Sequence, residues 1–195
     1  MSVGAGAPRR ALALKVCLAG DYAVGKTSLV RRFVSNTFSD DYIATLGAKV
    51  ASKHFPLPDP LKAGAERQVN LTLWDLMGQR GFRDMLQEAF FLNARGVLYV
   101  ADATRPETLY SLVEWHSSVA PVAGPIPGIV LLNKTDLEGQ IRISTEEVAR
   151  FCGEQGWPWI PTSAKTGTGV EEAFRRVGEA CLRDLAVPAT SADAH

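Results

Sequence analysis

The sequence predicts an α/β fold in which a six-stranded, mostly parallel sheet is flanked by about five helices, with one antiparallel hairpin at its edge. Two observations carry this prediction. Short apolar runs alternate along the chain with segments of helical spacing, as in doubly wound sheets. The length of 195 residues suits one well-buried domain rather than two. In such a sheet, ligands bind at the carboxyl ends of the strands.

The first half of the chain begins with a predicted strand, a glycine loop and a helix. Residues 12–19 form an apolar run that ends at a glycine, and residues 26–34 follow with helical spacing. Residues 48–55 and 68–75 alternate apolar with polar side chains, which predicts a pair of hairpin strands. The proline-containing connection at 56–67 is predicted to be long, either as a tolerated insertion or as a partner surface.

The second half of the chain carries two continuous apolar runs, at residues 96–101 and 129–132. Such runs are typical of central parallel strands that are buried on both faces. Ser144 with Glu147 three residues later is a capping-box pattern, which predicts a helix that begins there and reaches about Gln155.

The chain closes with a short predicted strand at 159–161 and an amphipathic helix at 171–185. Residues 1–10 and 187–195 are small or polar and are predicted to be disordered tails. A single domain therefore spans residues 11–186. The apolar face of the last helix is predicted to comprise Phe174, Val177, Cys181 and Leu185.

The composition indicates which kinds of partner and which cellular location to expect. Lysine plus arginine equals aspartate plus glutamate at 21 each, so no global field attracts nucleic acid or an anionic membrane. The three cysteines lie far apart, which predicts reduced, buried thiols and a cytoplasmic location. No apolar run approaches the roughly 18 residues of a membrane span, and neither end carries a lipidation motif. We therefore expect a soluble protein with no direct membrane anchor. We also predict a monomer.

The strongest motif lies between the first predicted strand and the first helix. Residues 20–27, GDYAVGKT, fit the pattern GxxxxGK[ST], whose glycines let backbone N–H groups converge on phosphate oxygens. Lys26 would span the outer phosphates, and Thr27 would offer its hydroxyl to Mg2+. The motif predicts a P-loop NTPase. Its candidate ligand-binding residues are Asp21, Tyr22, Ala23, Val24, Gly25, Lys26, Thr27 and Ser28.

A second motif, DLMGQ, follows the third predicted strand. Asp75 would face the metal ion at the end of that strand, although an aspartate at a turn would give the same pattern. Gly78 could donate its backbone N–H to the terminal phosphate, and Gln79 could orient an attacking water. We therefore predict Gln79, Lys26 and Gly78 as catalytic residues, and Asp75 with Thr27 as metal ligands.

Two further loops are candidates for binding the base. In the motif NKTD, the carboxylate of Asp136 can accept from both the ring N–H and the exocyclic amine of guanine, whereas adenine presents an acceptor at that ring nitrogen. The tripeptide SAK after the last strand could supply a backbone N–H to the guanine carbonyl. Alone, NKxD is more typical of a turn, and SAK alone has little predictive value. The candidate base-binding residues are Asn133, Lys134, Asp136, Ser163, Ala164 and Lys165.

Five motifs occur along the chain in this order: GDYAVGKTS, the threonine of YIATLG, WDLMGQ, NKTD and TSAK. Together they resemble the five nucleotide-binding motifs of the Ras superfamily, and they are closest to its Rab branch. The resemblance covers about residues 13–185. It implies a G domain that binds GTP or GDP with Mg2+, in which Thr45 contacts Mg2+ and the terminal phosphate and Phe38 packs against the base. From the residues alone, Thr45 could be a loop hydroxyl and Phe38 a core side chain.

The resemblance implies a small GTPase that hydrolyses GTP slowly to GDP and phosphate and changes shape through two nucleotide-sensing loops. It further implies an exchange factor, a GTPase activator and effectors that contact residues 38–47 and 76–90. The alternative is a nucleotide-bound interaction module with negligible hydrolysis. A P-loop kinase is a third interpretation, but it conflicts with Asp136.

Several positions depart from the family's pattern. Tyr22 stands where similar proteins carry a small residue, and its ring could crowd the approach of a partner's arginine or simply face solvent. Leu76, Met77 and Arg80 replace the threonine, alanine and glutamate that are common at these positions. The chemistry of hydrolysis is therefore less strongly predicted than nucleotide binding.

Overall fold

The computed structural model describes residues 11–39, 47–76 and 88–187. Its strands are β1 (Leu12–Ala19), β2 (Ala48–Pro58), β3 (Glu66–Leu76), β4 (Gly96–Asp102), β5 (Gly128–Asn133) and β6 (Trp159–Pro161). Its helices are α1 (Lys26–Ser35), α2 (Glu107–Tyr110), α3 (Leu112–Ala123), α4 (Thr145–Gln155) and α5 (Val170–Ala186). Residues 88–91 are also helical, and Glu138–Gln140 form a 3-10 turn. The predicted tails at 1–10 and 187–195 lie outside the described residues, except for Val187.

The six strands form one sheet in the order β2-β3-β1-β4-β5-β6. β2 pairs with β3 in antiparallel register, and every other neighbouring pair is parallel. The predicted fold class is therefore confirmed, including the antiparallel hairpin at the edge. Because β1, β3, β4, β5 and β6 run in the same direction, the loops that follow them meet at one edge of the sheet.

Hydrophobic residues cover both faces of the sheet. Along β1, Leu14 and Leu18 pack into one core cluster, whereas Cys17 and Ala19 pack into the other. This alternation is the period-two geometry of a strand that is buried on both sides. On the first face, Phe33 of α1 stacks on Phe174 of α5 with ring centroids 4.1 Å apart. The two layers hold the strand ends, and the loops that follow them, in fixed positions.

The helix predicted from the capping box is confirmed. The Ser144 side chain accepts a hydrogen bond from the Glu147 backbone N–H at 3.1 Å, and α4 begins at the next residue. The helix ends where Gly156 adopts a left-handed conformation, with φ of +68°. The three cysteines are free and buried, as predicted. Burial raises the pKa of Cys17 to about 12, so that this thiol stays protonated.

The predicted connection between the hairpin strands is shorter than expected. β2 continues through Pro58 and β3 begins at Glu66, so that only residues 59–65 connect them. Prolines are tolerated on an outer strand such as β2 at positions whose N–H would face away from the neighbouring strand. The Pro56 carbonyl accepts a hydrogen bond from Arg175 at 3.4 Å. Proline content alone was therefore a misleading signal for a loop.

The apolar face predicted for the last helix is correct for three of its four members. Phe174, Val177 and Cys181 are buried, whereas Leu185 is 41% exposed. Leu182 is buried instead, in the last turns of α5. Among the residues that the structure describes, no helix is long and apolar enough to cross a membrane.

Candidate functional site

The loop between β1 and α1 is shaped by glycines at both ends. Gly20 has φ of +145°, and a Cβ atom there would lie 2.3 Å from the Val100 carbonyl oxygen. Gly25 has φ of +101°, and a Cβ atom there would lie 2.2 Å from the Asn133 side-chain nitrogen. Neither position accepts a side chain without displacing a neighbour, since glycine alone combines this backbone geometry with such close approach. Between them, Ala23 also has a positive φ, of +62°.

Lys26 points back over this loop. Its side chain is 5% exposed, and Nζ donates to the Gly20 carbonyl at 2.7 Å and to the Asp21 carbonyl at 2.8 Å. Burial lowers the pKa of Lys26 to about 8, although the Asp75 and Asp21 carboxylates offset part of this effect. The ammonium group is therefore held at the concave side of the loop, where it favours an anion.

Thr27 and Asp75 meet beside Lys26. The Thr27 hydroxyl donates to Oδ2 of Asp75, while Oδ1 of Asp75 is buried and has no hydrogen-bond partner among the described residues. Burial raises the pKa of Asp75, and the hydrogen bond from Thr27 offsets part of this shift. An unpartnered buried carboxylate oxygen next to a hydroxyl suits a hard cation such as Mg2+, which prefers oxygen ligands. These two residues thus fit the predicted metal site.

Asn133 connects the loops that surround the site. It is 1% exposed, and its Nδ2 donates to the Val24 carbonyl at 2.9 Å. Its Oδ1 accepts from the Ala164 backbone N–H at 3.2 Å. One buried amide therefore fixes the β1–α1 loop relative to the loop after β6.

The remaining residues predicted to bind the base lie at the same edge of the sheet. Oδ1 of Asp136 accepts from the Ser163 hydroxyl at 2.6 Å, so the two predicted base-binding loops are in direct contact. Lys134 adopts a positive φ of +66°, and its Nζ lies 2.6 Å from Oδ2 of Asp102. Lys165 is exposed.

Three predicted P-loop and aromatic residues are placed as follows. Ser28 lies in the first turn of α1 and is partly buried. The Tyr22 side chain is 41% exposed. Phe38 is partly buried against the core cluster beneath α1. The predicted residues Thr45, Gly78 and Gln79 lie outside the described part of the chain.

Several residues of the site were not found from the sequence. Arg32 on α1 donates from Nε to the Ala164 carbonyl at 2.8 Å and from Nη2 to the Lys165 carbonyl at 2.5 Å, and so holds the loop after β6. Asp102 at the end of β4 is an ion-pair partner of Lys134. Burial would raise the pKa of Asp102, but hydrogen bonds from Lys134 and Thr104 outweigh it and hold that pKa below its usual range. The one sequence pattern that could have indicated Asp102 is its position at the end of a buried apolar strand.

Comparison with known proteins gives consistent matches over most of the chain. The sequence model of the Ras family matches residues 15–183. The chain is 35% identical over 174 residues to Ras-related protein Rab-32 of Homo sapiens, covering 86% of this chain and 74% of that protein. It is 35% identical over 179 residues to Ras-related protein Rab-7b of Mus musculus, covering 90% and 85%. It is 36% identical over 186 residues to Ras-related protein RABG3c of Arabidopsis thaliana, covering 91% and 86%.

Proposed function

Because this chain belongs to the Ras family of small GTPases, we propose that it binds GTP and GDP with Mg2+, hydrolyses GTP slowly and acts as a molecular switch. This proposal rests on one observation, namely that the Asn133 side chain connects two of the predicted nucleotide-binding loops. Its amide contacts both the P-loop and the loop after β6. The loops predicted to bind the phosphates and the base are therefore joined at one edge of the sheet.

Guanine is the base that Asp136 favours. The Asp136 carboxylate is oriented by the Ser163 hydroxyl through Oδ1. A carboxylate accepts from the ring N–H and the exocyclic amine of guanine, whereas it would face an acceptor on adenine. The backbone N–H groups of Ala164 and its neighbours lie on the loop that Arg32 holds.

The phosphates would be held by Lys26 and by the amides of the P-loop, with Thr27 and Asp75 as the metal ligands. When bound, Mg2+ would neutralise charge on the phosphate oxygens. Lys26 is 5% exposed and supplies a further positive charge, and a charge shielded from water stabilises phosphate more strongly than an exposed one. Through the resemblance, we assign Gln79 to orienting the attacking water and the Gly78 N–H to the terminal phosphate.

Switching and partner binding follow from the same assignment. Contacts of Thr45 and Gly78 with the terminal phosphate would hold two loops in place, and hydrolysis would release them. We propose that an exchange factor, a GTPase activator and effectors bind at residues 38–47 and 76–90. The buried, reduced cysteines are consistent with a cytoplasmic protein.

Two measurements test this function. Protein purified under native conditions is denatured and the released nucleotide identified by chromatography, for which we expect GDP or GTP. Single-turnover phosphate release is then measured for the wild type, for Gln79→Leu and for the control Gln140→Leu in the exposed 3-10 turn. We expect Gln79→Leu to slow hydrolysis roughly tenfold to hundredfold, since the water loses its orienting group. An adenine nucleotide in the purified protein would refute the proposal.

The alternative of a nucleotide-bound interaction module is favoured by one observation. The Tyr22 ring is exposed at the P-loop, where it could obstruct a partner's arginine. In that case guanine nucleotide copurifies, but phosphate release from the wild type is as slow as from Gln79→Leu. The same experiment therefore separates the two candidates.

A further inference from the structure

The carboxylate of Asp21, the second residue of the P-loop, is bound by two side chains from outside the loop. Oδ1 accepts from the Trp115 indole N–H at 2.9 Å, and Oδ2 accepts from the Ser111 hydroxyl at 2.9 Å. Trp115 is 1% exposed and lies on α3, and Ser111 directly precedes that helix. A buried indole N–H requires an acceptor, and here the acceptor comes from the P-loop.

The next P-loop residue is bound through its backbone. Arg105 donates from Nη2 to the Tyr22 carbonyl at 2.8 Å, and its Nε lies 3.1 Å from Oδ2 of Asp102. The same carboxylate oxygen lies 2.6 Å from Nζ of Lys134. We call residues 102–115 the anchor segment, because three of its side chains contact two successive P-loop residues.

These contacts act where the loop leaves β1. The direction of the amides that follow depends on the backbone angles at Asp21 and Tyr22. With one side chain and one carbonyl fixed, the loop has fewer conformations to lose when a phosphate binds, and preorganised donors bind more tightly than mobile ones. Hydrogen bonds to a charged acceptor such as the Asp21 carboxylate are among the stronger ones in proteins.

We propose that Trp115, Ser111 and Arg105 are positioning residues for phosphate binding, which hold the first half of the P-loop from the anchor segment through Asp21 and the Tyr22 carbonyl. The inference rests on the proposed binding of GDP. These residues touch the loop and not the reacting atoms, so their effect is on nucleotide retention. The anchor segment thereby joins the P-loop to Lys134 of the base-binding loop through Arg105 and Asp102.

A double-mutant cycle tests the central contact. The rate of GDP release in the presence of Mg2+ is measured for the wild type, Asp21→Ala, Trp115→Phe and the double variant. We expect each single substitution to speed release about tenfold, which corresponds to roughly 1.4 kcal/mol. Because both substitutions remove the same contact, the double variant releases GDP no more than about twofold faster than the faster single variant.

A matched control separates positioning from packing. Trp157 is a second, partly buried indole that packs against the same core cluster, where its ring stacks on Tyr99 with centroids 5.4 Å apart. Trp157→Phe also removes an indole that packs on this cluster, so it is expected to lower the unfolding midpoint while GDP release stays within twofold of the wild type. A comparable acceleration of release by Trp157→Phe would overturn the proposal.

Milder variants keep the test decisive if Trp115→Phe does not fold. Ser111→Ala deletes a single oxygen atom, and Arg105→Gln removes the donor to the Tyr22 carbonyl; each is expected to speed GDP release about threefold. Unchanged release in both variants, or multiplicative effects of Asp21→Ala and Trp115→Phe, would refute the positioning role. Failure of the wild type to bind GDP would instead refute the proposed function.

Discussion

Lys26 carries its charge in a nearly closed environment, which makes nucleotide binding dependent on pH. Burial lowers its pKa to about 8, well below the ordinary 10.5. Phosphate binding favours the ammonium form, so affinity should fall as the pH rises through about 8. We expect the dissociation constant for GDP with Mg2+ to increase about tenfold between pH 7 and pH 9, measured by fluorescence titration.

The control for this pH profile is Lys26→Met, which binds more weakly but has no amine to titrate. Any titration of guanine itself affects both proteins equally, so the ratio of the two dissociation constants isolates Lys26. A ratio that does not change across this pH range would show that the Lys26 amine does not titrate there, and would contradict the lowered pKa of Lys26.

The buried carboxylate of Asp75 lowers the stability of the metal-free protein. Burial raises its pKa, so the ionised form of Asp75 destabilises the fold, and this penalty is relieved as the pH falls through the raised pKa. We expect Asp75→Asn to increase the free energy of unfolding of the metal-free, nucleotide-free protein by about 1 kcal/mol at pH 7, and by less at lower pH.

The same substitution should impair metal binding. The ratio of GDP release rates with EDTA and with Mg2+ is expected to fall at least about tenfold in Asp75→Asn, because a charged ligand is lost. Asp184→Asn on the exposed side of α5 serves as the control and should change neither quantity. A variant that loses stability and keeps its full Mg2+ dependence would rule out Asp75 as a metal ligand.

At the level of single residues, the sequence identified side chains that belong to short motifs with a known chemistry. Lys26, Asp75 and Asn133 were all named, and the structure brings them to one edge of the sheet. Arg32 and Trp115 were missed because each acts on a loop more than 90 residues away in sequence. Such contacts depend on how the helices pack, and no local pattern encodes them.

Among the elements, α4 offers a direct measure of what a capping residue contributes. The Ser144 hydroxyl binds the Glu147 N–H, which would otherwise lack a partner at the first turn. We expect Ser144→Ala to lower the free energy of unfolding by about 1 kcal/mol in urea denaturation. Ser117→Ala, at an exposed position within α3, should change it by less than about 0.5 kcal/mol. Equal losses in both variants would show that capping is not the cause.

Element types were predictable from apolar periodicity, whereas some element ends were not. The strand at 159–161 and the start of α4 were predicted at the correct residues. β2 and β3 extend further than predicted because their pairing continues past the alternating pattern to Pro58 and Glu66. The ends of β2 and β3 therefore depend on how the two strands pair in the sheet. Strand pairing is a property of the whole fold, so the local sequence pattern did not predict these ends.

For the whole molecule, nucleotide binding should appear as stability. A ligand that binds only the folded state stabilises it by about 4 kcal/mol at a thousandfold excess over its dissociation constant. We expect saturating GDP with Mg2+ to raise the melting temperature by about 10 °C in a scanning fluorimetry experiment. ADP with Mg2+ is the control and should leave the melting temperature within 1 °C. Equal stabilisation by both nucleotides would contradict the assignment of Asp136.

β2 has a further consequence for the protein at high concentration. It is an outer strand of 11 residues, and a long open strand edge can template pairing with a second copy and so begin aggregation. Pro56 and Pro58 withhold backbone donors along that edge, and Lys49 adds an exposed charge. Pro56 and Pro58, which were predicted to lie in a loop, thereby hinder the pairing of β2 with a strand of a second copy.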